Sequence, residues 1–541
     1  MNARLLVAAG VILSGSCARS PTPGAPTVPA GGPRPVSLVA TGELHGTTEP
    51  CGCNSDPLGD LARLVALARG GLLLDAGNQL YEDRPAEGRR AQADRKADAI
   101  GAIWTQAGGE AALGADDLMG GTARLRPPRQ ASNAALPAGL AAPRVRDVGG
   151  VRVGVFGVTG GKVEAPGLTV SPGAEAARRA IAALKADRAE VVVALLAMSR
   201  AEARALLQAA PGVDFAVFGL DVGEGMPEPE PVGEAWLVAP ADQGRRAARI
   251  DLYRGEAPAG AHLSLARFDG EAGRARTLLR LDKRKAALAE QLAAFRADKS
   301  ADPAFVAARA EELRQVTAER DRAATAPLTP PAGPYFTYAL VPIRTKLPRD
   351  PAVAAALQAL ARDNGRANLA AAQAEPPPPP EAGKPRYVGE GACAKCHKQA
   401  AAFWQTTHHA SAWKTLVAVD KQYDYDCVGC HVTGWQAAGG SHLASVEKLG
   451  LTSVQCEVCH GPGSKHVDEA GMDAPLTLIK SPPADLCATR CHTKEHSDTF
   501  ALDAYLRDIL GPGHGEARRK ALGDGPTGHA LREQALAAAG R

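Results

Sequence analysis

The sequence predicts a multidomain protein: an α/β layered domain, then a helical hairpin connector, then a mostly α C-terminal domain. Two observations lead to this prediction. Between residues 36 and 270, short apolar runs alternate with alanine-rich stretches, a pattern typical of strands alternating with helices. Between residues 387 and 541, long apolar runs are scarce and pairs of cysteines recur beside histidines. A chain of 541 residues has room for two or three such domains.

Composition excludes some classes of protein. The chain carries a net charge of +3 and has no dense basic run, which argues against a nucleic-acid partner. Of its 11 cysteines, only Cys17, Cys51 and Cys53 lie outside the C-terminal region. Three cysteines are too few for a disulfide framework.

The first 17 residues are predicted to be a signal peptide. Arg4 provides a positive start, and residues 5–13 form an apolar core too short to be a permanent membrane span. The small residues before Cys17 resemble a bacterial lipoprotein signal, which implies a lipid anchor at Cys17 and a periplasmic or cell-envelope location. Plain secretion is the alternative, because the leucine lies four residues before the cysteine where three is usual. Residues 18–35 are rich in Pro, Gly and Ala and read as a flexible tether.

The domain over residues 36–270 is predicted to contain one sheet covered by helices on both faces. Its predicted helices are residues 61–69, 93–106 and 174–185. The strand-like runs are residues 36–41, 72–75, 151–156, 191–196 and 215–218.

Three phrases in this domain carry a family resemblance. They are Gly42-Glu43-Leu44-His45-Gly46, Leu58-Gly-Asp-Leu-Ala-Arg63 and Leu72-Leu-Leu-Asp75-Ala-Gly-Asn78. The order of these signals resembles the calcineurin-like metallophosphoesterases, in particular the 5'-nucleotidase and UDP-sugar hydrolase group. The resemblance implies two metal ions between strand ends that clamp a phosphate and generate hydroxide.

The metal ligands of that family are mostly replaced in this chain. Glu43 stands for the first aspartate, and Asn78 stands for the aspartate that bridges the two metals. The later histidine signals fall at residues 114–117, 197–199 and 218–221, which contain no histidine. We therefore expect an inactive, metallophosphoesterase-like scaffold or docking module, with a surviving metal-dependent phosphoesterase as the alternative.

A different metal site is suggested by Cys51 and Cys53, which closely follow His45 in a loop above the sheet. Two thiolates and an imidazole suit a soft metal such as zinc or copper. The alternative is a pair of reduced or mutually oxidised cysteines that packs the loop.

Residues 271–375 are predicted to connect the two domains. Leu281, Leu288 and Leu292 recur at heptad-like intervals, and Asp302-Pro303 is a helix start, which together predict a helical hairpin. The hairpin either packs on its own domain or forms a dimer contact. A strand over residues 335–341 and a helix over residues 350–373 follow, and residues 376–386 form a proline-rich linker.

The C-terminal domain, residues 387–541, contains three C-x-x-C-H motifs and one looser copy. C-x-x-C-H is the attachment signature of c-type haem, in which two thiols bind the porphyrin and the histidine binds iron. The sequence thus predicts four haem c groups, the fourth through a motif whose spacer has one extra residue. The predicted residues are Cys393, Cys396 and His397; Cys427, Cys430 and His431; Cys456, Cys459 and His460; and Cys487, Cys491 and His492.

Structural zinc is the alternative for these cysteine pairs. Zinc ribbons usually separate their pairs by about 15–20 residues, whereas the gaps here are wider and irregular. Neither zinc nor disulfides explain a histidine directly after the second cysteine each time.

Haems that only carry electrons usually take a second axial ligand. Candidates for these distal ligands are His408, His409, His442, His466, His496, His514 and His529. Around them, Phe403-Trp404-Gln-Thr-Thr-His408-His409 and Cys456-Glu-Val-Cys459-His460-Gly-Pro-Gly-Ser-Lys-His466 resemble the cytochrome c-554 family of tetrahaem cytochromes. The resemblance implies that His409, His466 and His514 are distal ligands and that one iron is left open or weakly ligated.

We expect an exported multihaem c-type cytochrome that transfers electrons to and from redox partner proteins. The alternative is a redox enzyme that acts on a small nitrogen or oxygen species at an open iron. His466 follows the third motif by only six residues, which are too few to reach the far face of its own haem with ease. His466 is therefore expected to ligate a neighbouring haem.

Overall fold

The structure is a computed structural model that describes residues 35–50, 52–82, 87–161, 163–298, 300–374, 379–472 and 477–541. The predicted signal peptide, Cys17 and nearly all of the tether lie outside these residues. The described chain divides into two compact units. One consists of residues 267–331 and the other of residues 35–266 together with 332–541.

The larger unit begins with an α/β domain whose strands form two six-stranded sheets. The first has the order β15-β16-β14-β1-β2-β3, the second β12-β13-β11-β10-β8-β7. Two-stranded pairs, β4-β6 and β5-β9, lie beside them. The strands are β1 (Val36–Thr41), β2 (Leu72–Asp75), β3 (Glu110–Ala111), β4 (Arg129–Gln130), β5 (Ala134–Ala135), β6 (Leu140–Ala141), β7 (Arg144–Val148), β8 (Val151–Thr159), β9 (Thr169–Val170), β10 (Val191–Ala197), β11 (Phe215–Phe218), β12 (Glu230–Val232), β13 (Ala235–Val238), β14 (Arg246–Tyr253), β15 (Ala266–Arg267) and β16 (Tyr335–Pro342).

Two sheets replace the single doubly covered sheet that the sequence suggested. Their inner faces meet in one core, where the rings of Phe215 in β11 and Phe336 in β16 pack edge to face at 4.9 Å. Helices cover the outer face of each sheet. Strands buried on both faces are apolar throughout. Their composition therefore does not reveal whether helices cover both faces of the sheet or a second sheet covers one of them.

Five helices pack on these sheets within the larger unit. They are α1 (Leu61–Leu67), α2 (Arg90–Gln106), α3 (Gly173–Ala186), α4 (Arg200–Ala209) and α7 (Pro351–Ala374). The Asp60 carboxylate accepts hydrogen bonds from the first-turn N–H groups of α1, and Ser199 and Glu202 form a capping box at the start of α4. Such caps satisfy N–H groups that have no partner inside the helix.

The smaller unit is a pair of helices, α5 (Gly270–Ala297) and α6 (Pro303–Thr325). Leu281 and Leu288 of α5 pack with Val316 of α6, and Asp302 caps α6 at the predicted start. The strand and helix that follow, β16 and α7, belong to the larger unit. The predicted connector of residues 271–375 is thus divided between the two units.

The C-terminal region contains short helices joined by long loops. A small apolar core around Trp413, Val428 and Leu451 holds part of it together. Among the described residues, no helix is long and apolar enough to cross a membrane. The helices are Glu390–Cys393, Lys398–Trp404, Ala412–Val417, Cys456–His460, Ser464–Asp468, Leu486–Arg490, Leu502–Ile509, Glu516–Ala521 and Gly528–Ala539.

Candidate functional site

The four cysteine–histidine motifs meet in two pairs. The thiol of Cys393 in the first motif donates a hydrogen bond to the Gly389 carbonyl oxygen at 3.7 Å and lies beside Cys456 of the third motif, which helps to raise the pKa of Cys393. The thiol of Cys430 in the second motif donates a hydrogen bond to the carbonyl oxygen of Arg490, in the spacer of the fourth motif, at 3.6 Å. Burial first, and nearby Cys487 of the fourth motif second, raise the pKa of Cys459 in the third motif to about 11, so these two motifs lie side by side. The motifs therefore adjoin one another in the order first, third, fourth, second.

Three motif histidines each face the ring of a second histidine. The ring centroids of His397 and His466 are 6.2 Å apart, those of His409 and His492 are 6.2 Å apart, and those of His460 and His514 are 5.9 Å apart. A metal–imidazole bond is about 2 Å long and the ring centre lies about 1 Å beyond the nitrogen, so two ligands on opposite sides of one iron place their centroids roughly 6 Å apart. All three pairs have the separation that a six-coordinate haem iron needs.

Hydrogen bonds at Nδ1 orient several of these rings. Nδ1 of His431 lies 2.7 Å from the Ala412 carbonyl oxygen, Nδ1 of His460 lies 2.7 Å from that of Ile479, and Nδ1 of His514 lies 2.8 Å from that of Ile509. A carbonyl oxygen only accepts, so each Nδ1 carries the proton and Nε2 keeps its lone pair. This second hydrogen bond is typical of histidines that bind a metal.

Burial keeps several of the rings neutral. Burial, helped by the charges of His492 and His408, lowers the pKa of His409 to about 4. Burial also lowers the pKa of His492 and the pKa of His460, although in His460 the bond to Ile479 opposes the shift. Iron binds the neutral imidazole, so these rings are in the state that ligation requires.

The remaining candidate histidines are placed differently. Within the described part of the chain, no second histidine ring faces His431. His408 and His529 lie with Nε2 and Nδ1 3.1 Å apart and bond each other on the surface. His442 and His496 make local hydrogen bonds, to Ser445 and Thr493.

Sequence reasoning missed Glu457, which lies between the cysteines of the third motif. Its buried carboxylate accepts hydrogen bonds from the N–H groups of Val388 and Gly389, before the first motif, and of Gly463, before His466. Burial raises the pKa of Glu457, and these three bonds partly offset the shift. The sequence does mark this position. Glu457 is the one acidic residue in the two-residue spacers of the first three motifs, whose other residues, apart from Lys395, are small or apolar.

The segment that leads into the second motif is held by the α/β domain. The Gln92 side chain of α2 donates to Asp424 at 2.7 Å, and Lys96 forms an ion pair with Asp426 at 3.1 Å. The Asn368 amide of α7 donates to the Tyr423 carbonyl at 3.0 Å. These contacts fix the backbone immediately before Cys427.

The residues that the sequence analysis aligned with metal ligands make hydrogen bonds within the protein. The Glu43 carboxylate accepts from the N–H groups of Asp221 at 3.2 Å and Val222 at 3.0 Å. Burial alone would raise the pKa of Glu43, but His45 and these two N–H groups lower it. The His45 ring lies 3.7 Å from Glu43 and 3.8 Å from Asp116, and their charges raise its pKa against the opposite effect of burial.

Hydrogen bonds within the protein also hold the loop that carries Asn78. The Asn78 side-chain oxygen accepts from the Asp116 N–H at 3.1 Å. Asp117 is fully buried and accepts from the N–H groups of Gln79 at 2.8 Å and Leu80 at 2.9 Å. A metal at this edge of the sheet would have to compete with each of these bonds.

The loop around Cys53 contacts the C-terminal region. Arg532 donates to the Cys53 carbonyl, the Ser55 N–H donates to Asp498 at 3.1 Å, and the Asn54 side chain donates to the Glu495 carbonyl at 2.8 Å. Cys51 lies outside the described residues, so the site of His45, Cys51 and Cys53 stays a prediction. Among the described residues, no three His, Cys, Asp or Glu side chains are grouped closely enough to hold a metal ion.

Residues 392–461 match the sequence profile of the family described as cytochrome c554 and c-prime. Cytochrome c-554 of Nitrosomonas europaea is 39% identical over an alignment of 92 residues, which covers 14% of this chain and 39% of the relative. The C-terminal region resembles the cytochrome c-554 family. The chain thus spans about two fifths of the length of the curated relative that it matches.

Solved structures are similar to the chain at low sequence identity. A 5'-nucleotidase precursor from Thermus thermophilus is 20% identical, with a TM-score of 0.35 over 40% of this chain and 51% of that one. The sulfate thiohydrolase SoxB of Thermus thermophilus is 16% identical, with a TM-score of 0.39 over 61% of this chain and 60% of that one. The calcineurin-like phosphoesterase YfkN from Bacillus subtilis is 19% identical, with a TM-score of 0.34 over 42% of this chain and 88% of that one.

Proposed function

We propose that this protein is an exported multihaem c-type cytochrome that transfers electrons. The observation that carries the proposal is the separation of about 6 Å in three histidine pairs, each of which contains one motif histidine. Chance contacts between surface histidines have no reason to repeat that distance three times. Export follows from the predicted signal peptide and from the need of bacteria to attach haem c outside the cytoplasm.

Each motif would hold one haem through its two thiols and its histidine. His466 would be the distal ligand of the first haem, His514 of the third and His409 of the fourth. Haem iron supplies one-electron redox chemistry. The residues of this chain would attach the macrocycles and supply neutral imidazoles.

The contacts between motifs support a path for electrons. Because the motifs adjoin in the order first, third, fourth, second, haems bound there would follow the same order. The second motif would lie at the α/β end of the path. The opposite end of the path would begin at the first motif.

The α/β domain would act as a scaffold without hydrolytic activity. Its helices α2 and α7 hold the segment before Cys427, and its Cys53 loop is bonded to Glu495, Asp498 and Arg532. The role of these contacts would be to fix the second and fourth motifs against a rigid body.

A redox enzyme is the second candidate, and the surroundings of His431 favour it. Among the described residues, no histidine ring faces His431, although its Nδ1 is bonded to Ala412 and its Nε2 is left to bind iron. An iron with one free position binds small nitrogen or oxygen species. The resemblance to the cytochrome c-554 family, in which one iron is commonly open or weakly ligated, agrees with this assignment.

Spin-state spectroscopy on the exported, haem-loaded protein tests both candidates. We expect three low-spin haems and one high-spin haem by electron paramagnetic resonance, with nitric oxide or cyanide altering only the high-spin signal. Four low-spin haems whose spectra change with neither nitric oxide nor cyanide would contradict the redox-enzyme function and leave electron transfer as the proposed function. Two or more high-spin haems would contradict the histidine pairs, and with them the main proposal.

The lipid anchor is a separate proposal. Acylation of Cys17 would tether the protein to a membrane through residues 18–35. Metabolic labelling with a fatty acid should mark the parent protein and leave Cys17→Ser unlabelled and released from the membrane. A parent protein without label would identify the segment as an ordinary secretion signal.

A further inference from the structure

The fourth motif has one more residue between its cysteines than the other three, and its backbone shows how that residue is accommodated. In the first motif, the His397 N–H donates to the Cys393 carbonyl oxygen at 2.9 Å, four residues back along the chain. In the fourth motif, the His492 N–H donates to the Cys487 carbonyl oxygen at 2.8 Å, five residues back. The same two groups therefore close both motifs, and the fourth does so with a π-type turn, a rare geometry that is frequent at functional sites.

The wider turn constrains its histidine less than the short spacer does. One more residue adds two rotatable backbone angles between the cysteines. The His492 ring therefore needs a second source of order if it is to keep the orientation of an iron ligand.

Two aromatic rings pack on the imidazole of His492. The Phe500 ring stacks on it, with centroids 5.2 Å apart and planes within 14° of parallel. The Tyr505 ring meets it edge to face at 5.0 Å and 78°, and packs on Phe500 at 4.9 Å. Rings in these two orientations restrict the rotation of the imidazole.

A buried hydroxyl group completes the surroundings of the ring. Nδ1 of His492 lies 3.2 Å from Oγ of Ser497, which is buried. With Nε2 kept for iron, Nδ1 carries the proton and donates to Ser497. The Tyr505 hydroxyl lies 3.1 Å from Ser497 and 2.9 Å from Thr499, so the hydroxyl and ring contacts form one cluster. We call Ser497, Phe500 and Tyr505 the histidine cage.

The segment that carries the histidine cage is anchored to the α/β domain. The Ser55 N–H donates to the Asp498 carboxylate at 3.1 Å, and the Ser55 hydroxyl donates to the same carboxylate. The Asn54 side chain donates to the Glu495 carbonyl oxygen at 2.8 Å. Asp498 directly follows Ser497, so the α/β domain holds the backbone beside the cage.

We propose that the histidine cage positions the His492 ring for the fourth haem, and so does the work that the short spacer does in the other motifs. This inference rests on the proposed function as a multihaem cytochrome and adds three positioning residues to it. Thioether bonds of Cys487 and Cys491 would hold the macrocycle whether or not the ring is in place. Loss of the cage should therefore change the ligation of one iron and leave the haem content unchanged.

Electron paramagnetic resonance of the exported, haem-loaded chain tests the proposal. The difference between the spectra of the parent protein and Cys487→Ala/Cys491→Ala identifies the signal of the fourth haem. We expect Phe500→Leu/Tyr505→Leu to convert most of that signal from low-spin to high-spin at an unchanged haem mass. Phe500→Tyr/Tyr505→Phe keeps both rings and should keep the low-spin signal. The signals of the first and third haems should stay the same in both variants, which shows that the variants are folded.

Deletion of Thr489 distinguishes positioning of the ligand from ordinary packing. Thr489 is exposed, and its removal gives the fourth motif the C-x-x-C-H spacing of the other three. In that background, Phe500→Leu/Tyr505→Leu should leave the fourth haem low-spin. An equal loss of the low-spin signal with and without Thr489 would overturn the proposal, as would a parent-like signal in Phe500→Leu/Tyr505→Leu.

Ser497→Ala is a milder variant, and its measurement is the reduction potential of the fourth haem. Donation from Nδ1 to Ser497 makes the imidazole a stronger ligand, which stabilises ferric iron. We expect the potential to rise in Ser497→Ala and to match that of the parent in Ser497→Thr. An unchanged potential in Ser497→Ala would contradict the hydrogen bond and, with it, the cage.

Failure of this proposal can be told apart from failure of the proposed function. High-spin signals from the first and third haems of the parent protein would contradict the histidine pairs and the function that rests on them. A parent spectrum that Cys487→Ala/Cys491→Ala does not change would overturn the fourth haem and the cage, and leave the other haems as proposed.

Discussion

The imidazole rings of His397 and His466 lie 6.2 Å apart and within 21° of parallel. His466 belongs to the third motif by position, since it follows His460 by six residues, but its ring faces the first motif. Gly461 makes the reversal possible with a φ of 87°, a conformation that favours glycine. One short loop thereby joins the third motif to the first.

Replacing His466 by alanine should leave one iron without its distal ligand. We expect that haem to become high-spin and to bind carbon monoxide when reduced, and the protein to lose stability because the loop loses its anchor. Optical and electron paramagnetic resonance spectra, with a carbon monoxide titration, measure this. His496→Ala is the matched control, since in the described part of the chain His496 bonds locally, to Thr493. If the spectra of both variants match those of the parent protein, His466 is not a ligand.

The intact mass of the exported protein should correspond to four covalent haems. The fourth motif has a three-residue spacer, and its helix Leu486–Arg490 brings Cys491 beside Cys430 of the second motif. Because both thiols of the fourth motif lie within the motif cluster, we expect attachment despite the longer spacer. Cys487→Ala/Cys491→Ala should then lose one haem mass. A parent mass with three haems would contradict the fourth site.

Substituting Glu457 should destabilise the C-terminal domain. Its buried carboxylate accepts three backbone N–H bonds, and hydrogen bonds to a charged group contribute about 1.5–3 kcal/mol each. Glu457→Ala should therefore lower the free energy of unfolding by more than about 2 kcal/mol, whereas Glu457→Gln keeps one acceptor oxygen and should cost less. Urea unfolding followed by haem absorbance measures both. The exposed Glu469→Ala is the control, and an equal effect there would contradict the role of Glu457.

The cysteine–histidine motifs can be recognised in the sequence because the C-x-x-C-H pattern spans only a few residues, and their attachment of haem stays a prediction. Alternation of apolar runs likewise predicted the α/β layers, and Asp302-Pro303 located the start of α6. These signals are local. Each depends on residues that lie only a few positions apart in the sequence.

Long-range pairings were harder to predict. Nothing near Phe215 or Phe336 in the sequence shows that their rings meet between two sheets. Other contacts also join distant segments: His466, His409 and His514 lie beside motif histidines, and Gln92 donates to Asp424. The spacing predicts only that His466 lies beside a motif other than its own, and the structure shows that this is the first motif, at His397.

The α/β domain should not hydrolyse phosphate esters. Glu43 and Asp117 are held by backbone N–H groups, and Asn78 lacks the negative charge that keeps two dications together. We expect no turnover of nucleotides or p-nitrophenyl phosphate with added manganese, in the parent or in Asn78→Asp. Manganese-dependent turnover that disappears in His45→Ala would contradict this expectation and support the alternative, an active metal-dependent phosphoesterase.

The stability of the α/β domain should fall as pH rises, because of Asp75. This carboxyl is fully buried, accepts hydrogen bonds from the Thr41 hydroxyl at 2.7 Å and the Gly77 N–H at 2.9 Å, and lies near Asp117. Burial first, and the charge of Asp117 second, raise its pKa to about 7. A group with a raised pKa in the folded state stabilises the fold below its unfolded pKa, and that contribution is lost as pH rises through the folded value.

The window for this loss runs from the ordinary pKa of an aspartate, 3.8, to about 7. At about 1.4 kcal/mol per pH unit, the loss in free energy of unfolding is on the order of 4 kcal/mol. Asp75→Asn should remove most of this dependence, because an amide oxygen still accepts from Gly77 and its NH2 donates to the Thr41 oxygen, whose proton bonds the Leu74 carbonyl. Urea-dependent hydrogen exchange of peptides from β1 and β2 at pH 5 and pH 8 measures it, with the exposed Asp98→Asn as control. If parent and Asp75→Asn lose stability in parallel, the Asp75 carboxyl titrates near its ordinary value and another group carries the pH dependence.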